Sequence, residues 1–208
     1  MNDLAIRTEP KDPRLAPDNI VRLHDIDWAD WQRLLAMRGE HSAPRLAYLK
    51  GEVEIMSPSR SHESIKSVIG RLVETYCLEH EIPFRPLGGW TLESEPDERA
   101  VEPDECYIFG AEDASRPHLA IEVVWTSGGI DKLEIYRKLD VAEVWYWKRD
   151  VLTPYSLRTD GPDAPRYEPV AASLVLPGID LAQLATFLDQ PTAYDAIRAY
   201  RAALRGGT

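Results

Sequence analysis

The sequence predicts a mixed α/β fold, a central sheet flanked by helices. Three observations predict it. Residues 117–125, PHLAIEVVW, are an almost unbroken apolar run, which suits a strand covered on both faces. Residues 62–81 place Ile65, Val68, Ile69, Leu72, Val73, Tyr76 and Cys77 on one helical stripe. Strand-like and helix-like segments then alternate between proline and glycine breaks.

Taken in order, residues 1–19 are polar, contain three prolines and read as a mobile arm ahead of a single domain over 20–208. Residues 27–38 set Trp28, Trp31, Leu34 and Leu35 at helical spacing, with Asp27 as N-cap. Residues 45–56 read as a hairpin turning at Lys50-Gly51, in which Val53 and Ile55 alternate with Glu52 and Glu54. The long helix at 62–81 ends before Pro83 and Pro86, and Gly88-Gly89 leads into a strand near Trp90–Leu92. Residues 100–109, AVEPDECYIF, read as one strand flanked by acidic turns. After the apolar strand, 130–139 read as a helix and 141–147 as a further strand. A hairpin around 151–157 and 166–170 follows, and then helical sequence over 180–205 broken at Pro191.

Composition excludes several classes. No apolar run is long enough to span a membrane. The amino terminus lacks the apolar core of an export signal, so a cytoplasmic setting is expected. Cys77 and Cys106 form no CxxC pair and read as small, reduced, buried side chains. The net charge of −11 argues against a high-affinity non-specific nucleic-acid binder, although metal-binding carboxylates would contribute to such a balance.

Glu122 is the residue that most demands explanation. It stands inside Leu119-Ala120-Ile121-Glu122-Val123-Val124, where a carboxylate costs several kcal/mol unless paired, hydrogen-bonded or bound to a metal. A structural salt bridge is the competing reading. Asp104 follows Pro103, which stiffens the chain, yet a solvated turn aspartate fits a lone PD equally. Lys132 and Tyr136 share a helix face at i, i+4 spacing, directly after the Glu122 strand. Two carboxylates on neighbouring strands can hold one hard cation such as Mg2+ or Mn2+. A lysine beside them can stabilise developing negative charge.

VEPDECYIF and HLAIEVVWTSGGIDKLEIYRKLDVAEVWYW resemble the Uma-two family of restriction endonucleases, of the PD-(D/E)XK nuclease superfamily. The resemblance runs from about residue 28 to 189 and includes GEVEIMSPSRSHE and LVLPGIDLAQLATFL. It implies a restriction-endonuclease-like three-layer core with an N-terminal helix and a C-terminal hairpin and helices. It also implies a divalent-metal site, Mg2+ or Mn2+, that hydrolyses DNA, and pairing as a homodimer. Asp104 matches the PD aspartate and Glu122 the second acid. The usual lysine position is Val124, and Lys132 on the following helix matches its replacement. Glu52 and His62 match two further family positions, as an added metal carboxylate and a supporting residue. Glu52 equally suits an exposed hairpin face, and His62 a helix start beside a cap serine. Val124 also keeps open a nuclease-fold binding or assembly protein without catalysis.

Overall fold

The computed structural model describes residues 17–111, 113–124 and 129–206. The arm expected over 1–19 falls largely outside them, as do Trp125 and the Thr126-Ser127-Gly128 part of the turn after the apolar strand. The last arm residues are built into the fold: Asp18 is buried and Asn19 opens strand β1 (Asn19–Leu23).

Helix α1 (Trp28–Arg38) starts at Asp27, whose carboxylate accepts the Asp30 N–H at 2.8 Å, as a capping residue should. Strands β2 (Arg45–Leu49) and β3 (Glu52–Ser57) form the expected hairpin. Its two turn residues both have positive φ, 47° at Lys50 and 90° at Gly51, the backbone that matches strand twist in a two-residue loop. Helix α2 (Arg60–Glu79) is capped by Ser59. Strands β4 (Phe84–Pro86) and β5 (Leu92–Ser94) follow.

The single strand expected over 100–109 is two strands, β6 (Arg99–Val101) and β7 (Glu105–Phe109). They belong to different sheets. Pro103 has no N–H for a ladder, and the Glu102 carboxylate turns back to accept the Leu46 N–H at 3.0 Å. The chain thus leaves one sheet and enters the other at Glu102-Pro103-Asp104.

Strand β8 (Leu119–Val123) is buried along its whole length, as its apolar run requires. Helix α3 (Lys132–Tyr136) is shorter than the 130–139 pattern suggests. Strands β9 (Glu143–Lys148), β10 (Val151–Arg158) and β11 (Arg166–Pro169) and helices α4 (Leu181–Ala185) and α5 (Ala193–Gly206) complete the chain.

The expected central mixed sheet is present, and the described residues form a second, antiparallel sheet beside it. The antiparallel one runs β1-β3-β2-β6-β5. The central mixed one runs β11-β10-β9-β8-β7-β4 and is antiparallel except for the β8–β9 pair. Alternation along β8 sorts its residues. Leu119, Ile121 and Val123 pack with α2, α4 and α5, while Ala120 faces α3 and the first sheet. Glu122 has the parity of Ala120 and lies on that inner side. Helix α1 covers the outer face of the first sheet through Trp31, Tyr48 and Val53. Trp145 and Trp147 are core residues. Both cysteines are buried and unpaired. No helix among the described residues is long and apolar enough to cross a membrane.

Close packing of α2 on β7 depends on Gly70. A Cβ there would lie 2.8 Å from Tyr107 Oη, and the Tyr107 ring is fully buried and cannot swing aside. Gly70→Ala is expected to lower unfolding stability by about 1–3 kcal/mol, read as a lower urea midpoint at unchanged slope.

Candidate active site

The site forms where the two sheets meet. The β7–β8 register pairs Glu105 with Ile121, so one further step sets Asp104 beside Glu122. Asp104 is 1% exposed and Glu122 fully buried. Among the described residues each oxygen of Glu122 has one donor: Lys132 Nζ at 2.5 Å from Oε2, and Tyr136 Oη at 2.5 Å from Oε1. The i, i+4 spacing on α3 therefore delivers both groups to one carboxylate. Asp131 caps that helix by accepting the Glu134 N–H at 3.2 Å.

Asp104 is held from three elements. Its Oδ2 accepts the Val123 N–H of β8 at 2.7 Å. Its Oδ1 lies 3.0 Å from His62 Nε2 of α2 and 3.3 Å from Arg45 Nη1 of β2. Neither approach to Oδ1 is aligned well enough for a good hydrogen bond, so these contacts are chiefly ionic. Arg45 also donates to the Pro103 carbonyl at 2.6 Å, pinning the crossover itself.

The charges follow. Burial works to raise the Asp104 pKa, but His62, Lys132 and Arg45 outweigh it and hold the group well below the usual carboxylate range. Burial, helped by Asp104, pushes the Glu122 carboxyl upward against the pull of Lys132. Burial opposes the Lys132 charge, yet Glu122 and Asp104 prevail and keep the ammonium protonated. Burial likewise opposes a charged His62, but Asp104 and Asp18 raise its pKa to about 9.

Of the expected residues, the structure brings Asp104, Glu122, Lys132, Tyr136 and His62 together. Glu52 stands apart: its side chain is 54% exposed at the hairpin end, 3.5 Å from His24. Glu54, two residues along the same face, is the buried carboxylate instead. It accepts the Ile130 N–H at 3.1 Å, lies 3.5 Å from Arg22 Nε and contributes to the field on Lys132. A Cβ on Gly129 would approach Glu54 Oε2 to 3.0 Å, so a glycine suits this contact. The hairpin pattern marked Val53 and Ile55 as the buried face. Glu54 escaped notice because the sheet is covered on both faces, by α1 and by α3. Arg45 was also missed, and nothing in its local sequence distinguishes it from an ordinary strand arginine.

The donor set is all oxygen, which suits a hard divalent ion. Among the described residues no three acidic, histidine or cysteine groups converge as a ready metal cage. An ion here would share Asp104 and Glu122 with water and phosphate oxygens, the usual habit of magnesium. A cleft of about 150 Å³, lined by Arg45, Lys66, Gly88, Gly89 and Glu105, reaches Asp104. A larger cavity of about 720 Å³, lined by Trp147, Leu152 and Leu181, contains none of these residues.

Residues 28–187 match the model of the Uma2 family, described as "Putative restriction endonuclease". One similar solved structure is described as "a putative nuclease belonging to DUF820" from Anabaena variabilis ATCC 29413. It is 14% identical, with a TM-score of 0.50 over 85% of this chain and 99% of that one. That likeness supports the fold. No curated protein matches the chain significantly.

Because the His62 pKa is raised from 6.5 to about 9, its stabilising contribution is complete below pH 6.5 and is lost as pH rises through about 9. Thermal denaturation should show Tm falling more steeply between pH 6.5 and 9 in the wild type than in His62→Gln. Parallel curves would mean that His62 is not held as an imidazolium.

Proposed function

The chain belongs to the Uma2 family, and on that footing we propose that it is a divalent-metal-dependent endonuclease that hydrolyses DNA phosphodiester bonds. One observation carries the reading: Asp104 from the β6–β7 crossover, Glu122 from β8 and Lys132 from α3 meet in a single buried cluster. Buried carboxylates are costly, and such clusters are commonest where chemistry needs them.

In this reading Asp104 and Glu122 would hold Mg2+ or Mn2+, and Glu54 adds a further carboxylate whose field reaches Lys132. Such an ion would supply Lewis-acid polarisation of the phosphodiester and a lowered pKa for the attacking water. Lys132 is 14% exposed through its side chain and is the member of the trio that meets solvent. It stabilises the negative charge that develops on the phosphate oxygens. Tyr136 holds one oxygen of Glu122, and His62, with Lys132 and Arg45, keeps Asp104 ionised. Cutting both strands of a duplex calls for two sites, which a two-fold homodimer supplies.

A second reading, a nuclease-fold binding or assembly protein without catalysis, draws on the same cluster. Lys132, His62 and Arg45 already compensate the carboxylates without an ion. The net charge of −11 also opposes an approaching polyanion.

Plasmid cleavage in Mn2+ or Mg2+ separates the two. Asp104→Asn, Glu122→Gln and Lys132→Met are each expected to cut at least about 100-fold more slowly while keeping the wild-type circular dichroism. Folded wild-type protein that cleaves no DNA across metals, and shows no calorimetric Mg2+ or Mn2+ binding, leaves the binding module standing.

A further inference from the structure

The residue just ahead of β1 belongs to the site. Asp18 is 9% exposed. Its Oδ1 accepts the Ser59 N–H, at the start of α2, at 2.7 Å. Its Oδ2 lies 2.8 Å from His62 Nδ1. The opposite edge of the same imidazole lies 3.0 Å from Asp104 Oδ1. One fully buried ring therefore bridges two carboxylates, Asp18 on one side and Asp104 on the other.

Tethering β1 to α2 does not require this. An apolar contact would join the two elements without the cost of desolvating three ionisable groups. What the arrangement supplies is orientation. Asp18 accepts two N–H groups, so Nδ1 of His62 must carry its proton and the ring cannot flip. Nε2 then faces Asp104 Oδ1 at 3.0 Å as the cationic side of an ion pair. The other oxygen, Oδ2, is fixed separately by the Val123 N–H. Together these contacts set the plane of the carboxylate.

We propose that Asp18 and His62 are positioning residues that hold Asp104 in the orientation from which it binds the divalent ion. The inference rests on Asp104 being a metal ligand, as proposed above. Asp18 and His62 themselves touch neither ion nor substrate. They act as outer partners of a ligating group, where loss typically costs about 10–100-fold in metal affinity. The segment read from sequence as a free arm would then end in a residue on which metal binding depends.

The test is calorimetric titration of the full-length protein with Mn2+. Asp18→Asn keeps the shape of the side chain but leaves one acceptor oxygen for two N–H donors, so the ring is no longer held. His62→Gln removes the ring. Each is expected to weaken Mn2+ binding about 10-fold or more, and the double variant no more than the worse single one, because both act through one chain of contacts. Leu23→Ala loosens β1 packing without touching His62. It should lower Tm and leave Mn2+ affinity unchanged. Wild-type affinity in either folded site variant overturns the proposal, as does equal weakening by Leu23→Ala. If the wild type binds no Mn2+, the metal-dependent reading fails and this inference with it. If the wild type binds and both site variants bind equally, only the inference fails.

Discussion

Asp104 and Glu122 are like charges held side by side out of water, and such a pair persists only if cations are brought to it. Each cation comes from a different part of the chain. Arg45 comes from β2, His62 from the first turn of α2, and Lys132 from α3. The compensation therefore also joins the structure, tying the antiparallel sheet, the long helix and the short helix to the seam between β7 and β8. Removing one partner of a buried pair typically costs about 3–5 kcal/mol, a large share of a domain's stability. The site and the joint between the sheets are the same piece of structure.

The crossover at Glu102-Pro103-Asp104 makes this possible. A continuous strand would have kept both residues in one sheet. Instead Glu102 serves the first sheet, accepting from Leu46 and Thr91 and pairing with Arg38. Asp104 serves the second, through Val123. Proline between them withholds a ladder donor and stiffens the step. Two acidic residues two positions apart thus take different roles, one closing off the outer sheet and the other entering the site.

Much of this was legible in the residues. The apolar run around Glu122 identified a strand buried on both faces, and the i, i+4 pair Lys132 and Tyr136 identified the helix face that meets it. Such signals are local and periodic. The losses share a different cause. Glu54 looks like the polar side of a hairpin until α3 is known to cover that side. Arg45 and Asp18 become significant only through contacts 59 and 44 residues distant in sequence, with Asp104 and His62 respectively. The split of 100–109 was missed because strand propensity on both sides of Pro103 is high, and only pairing partners show that the halves join different sheets.

Val124 bears most directly on the chemistry. A lysine two residues beyond Glu122 would project from the same face of the same strand by simple alternation. Here that position is apolar, and its N–H is used in pairing to the Trp147 carbonyl at 2.8 Å. The ammonium comes instead from Lys132, on a helix whose next turn is anchored to the same carboxylate by Tyr136. Moving the lysine from strand to helix preserves where the charge sits but changes what holds it. A strand lysine is placed by the sheet alone. Lys132 is placed by α3, which depends on the Asp131 cap, on Glu54 gripping the Ile130 N–H, and on Tyr136 reaching Glu122. Glu54 and Tyr136 therefore matter to the site through the position of the ammonium as well as through their own oxygens.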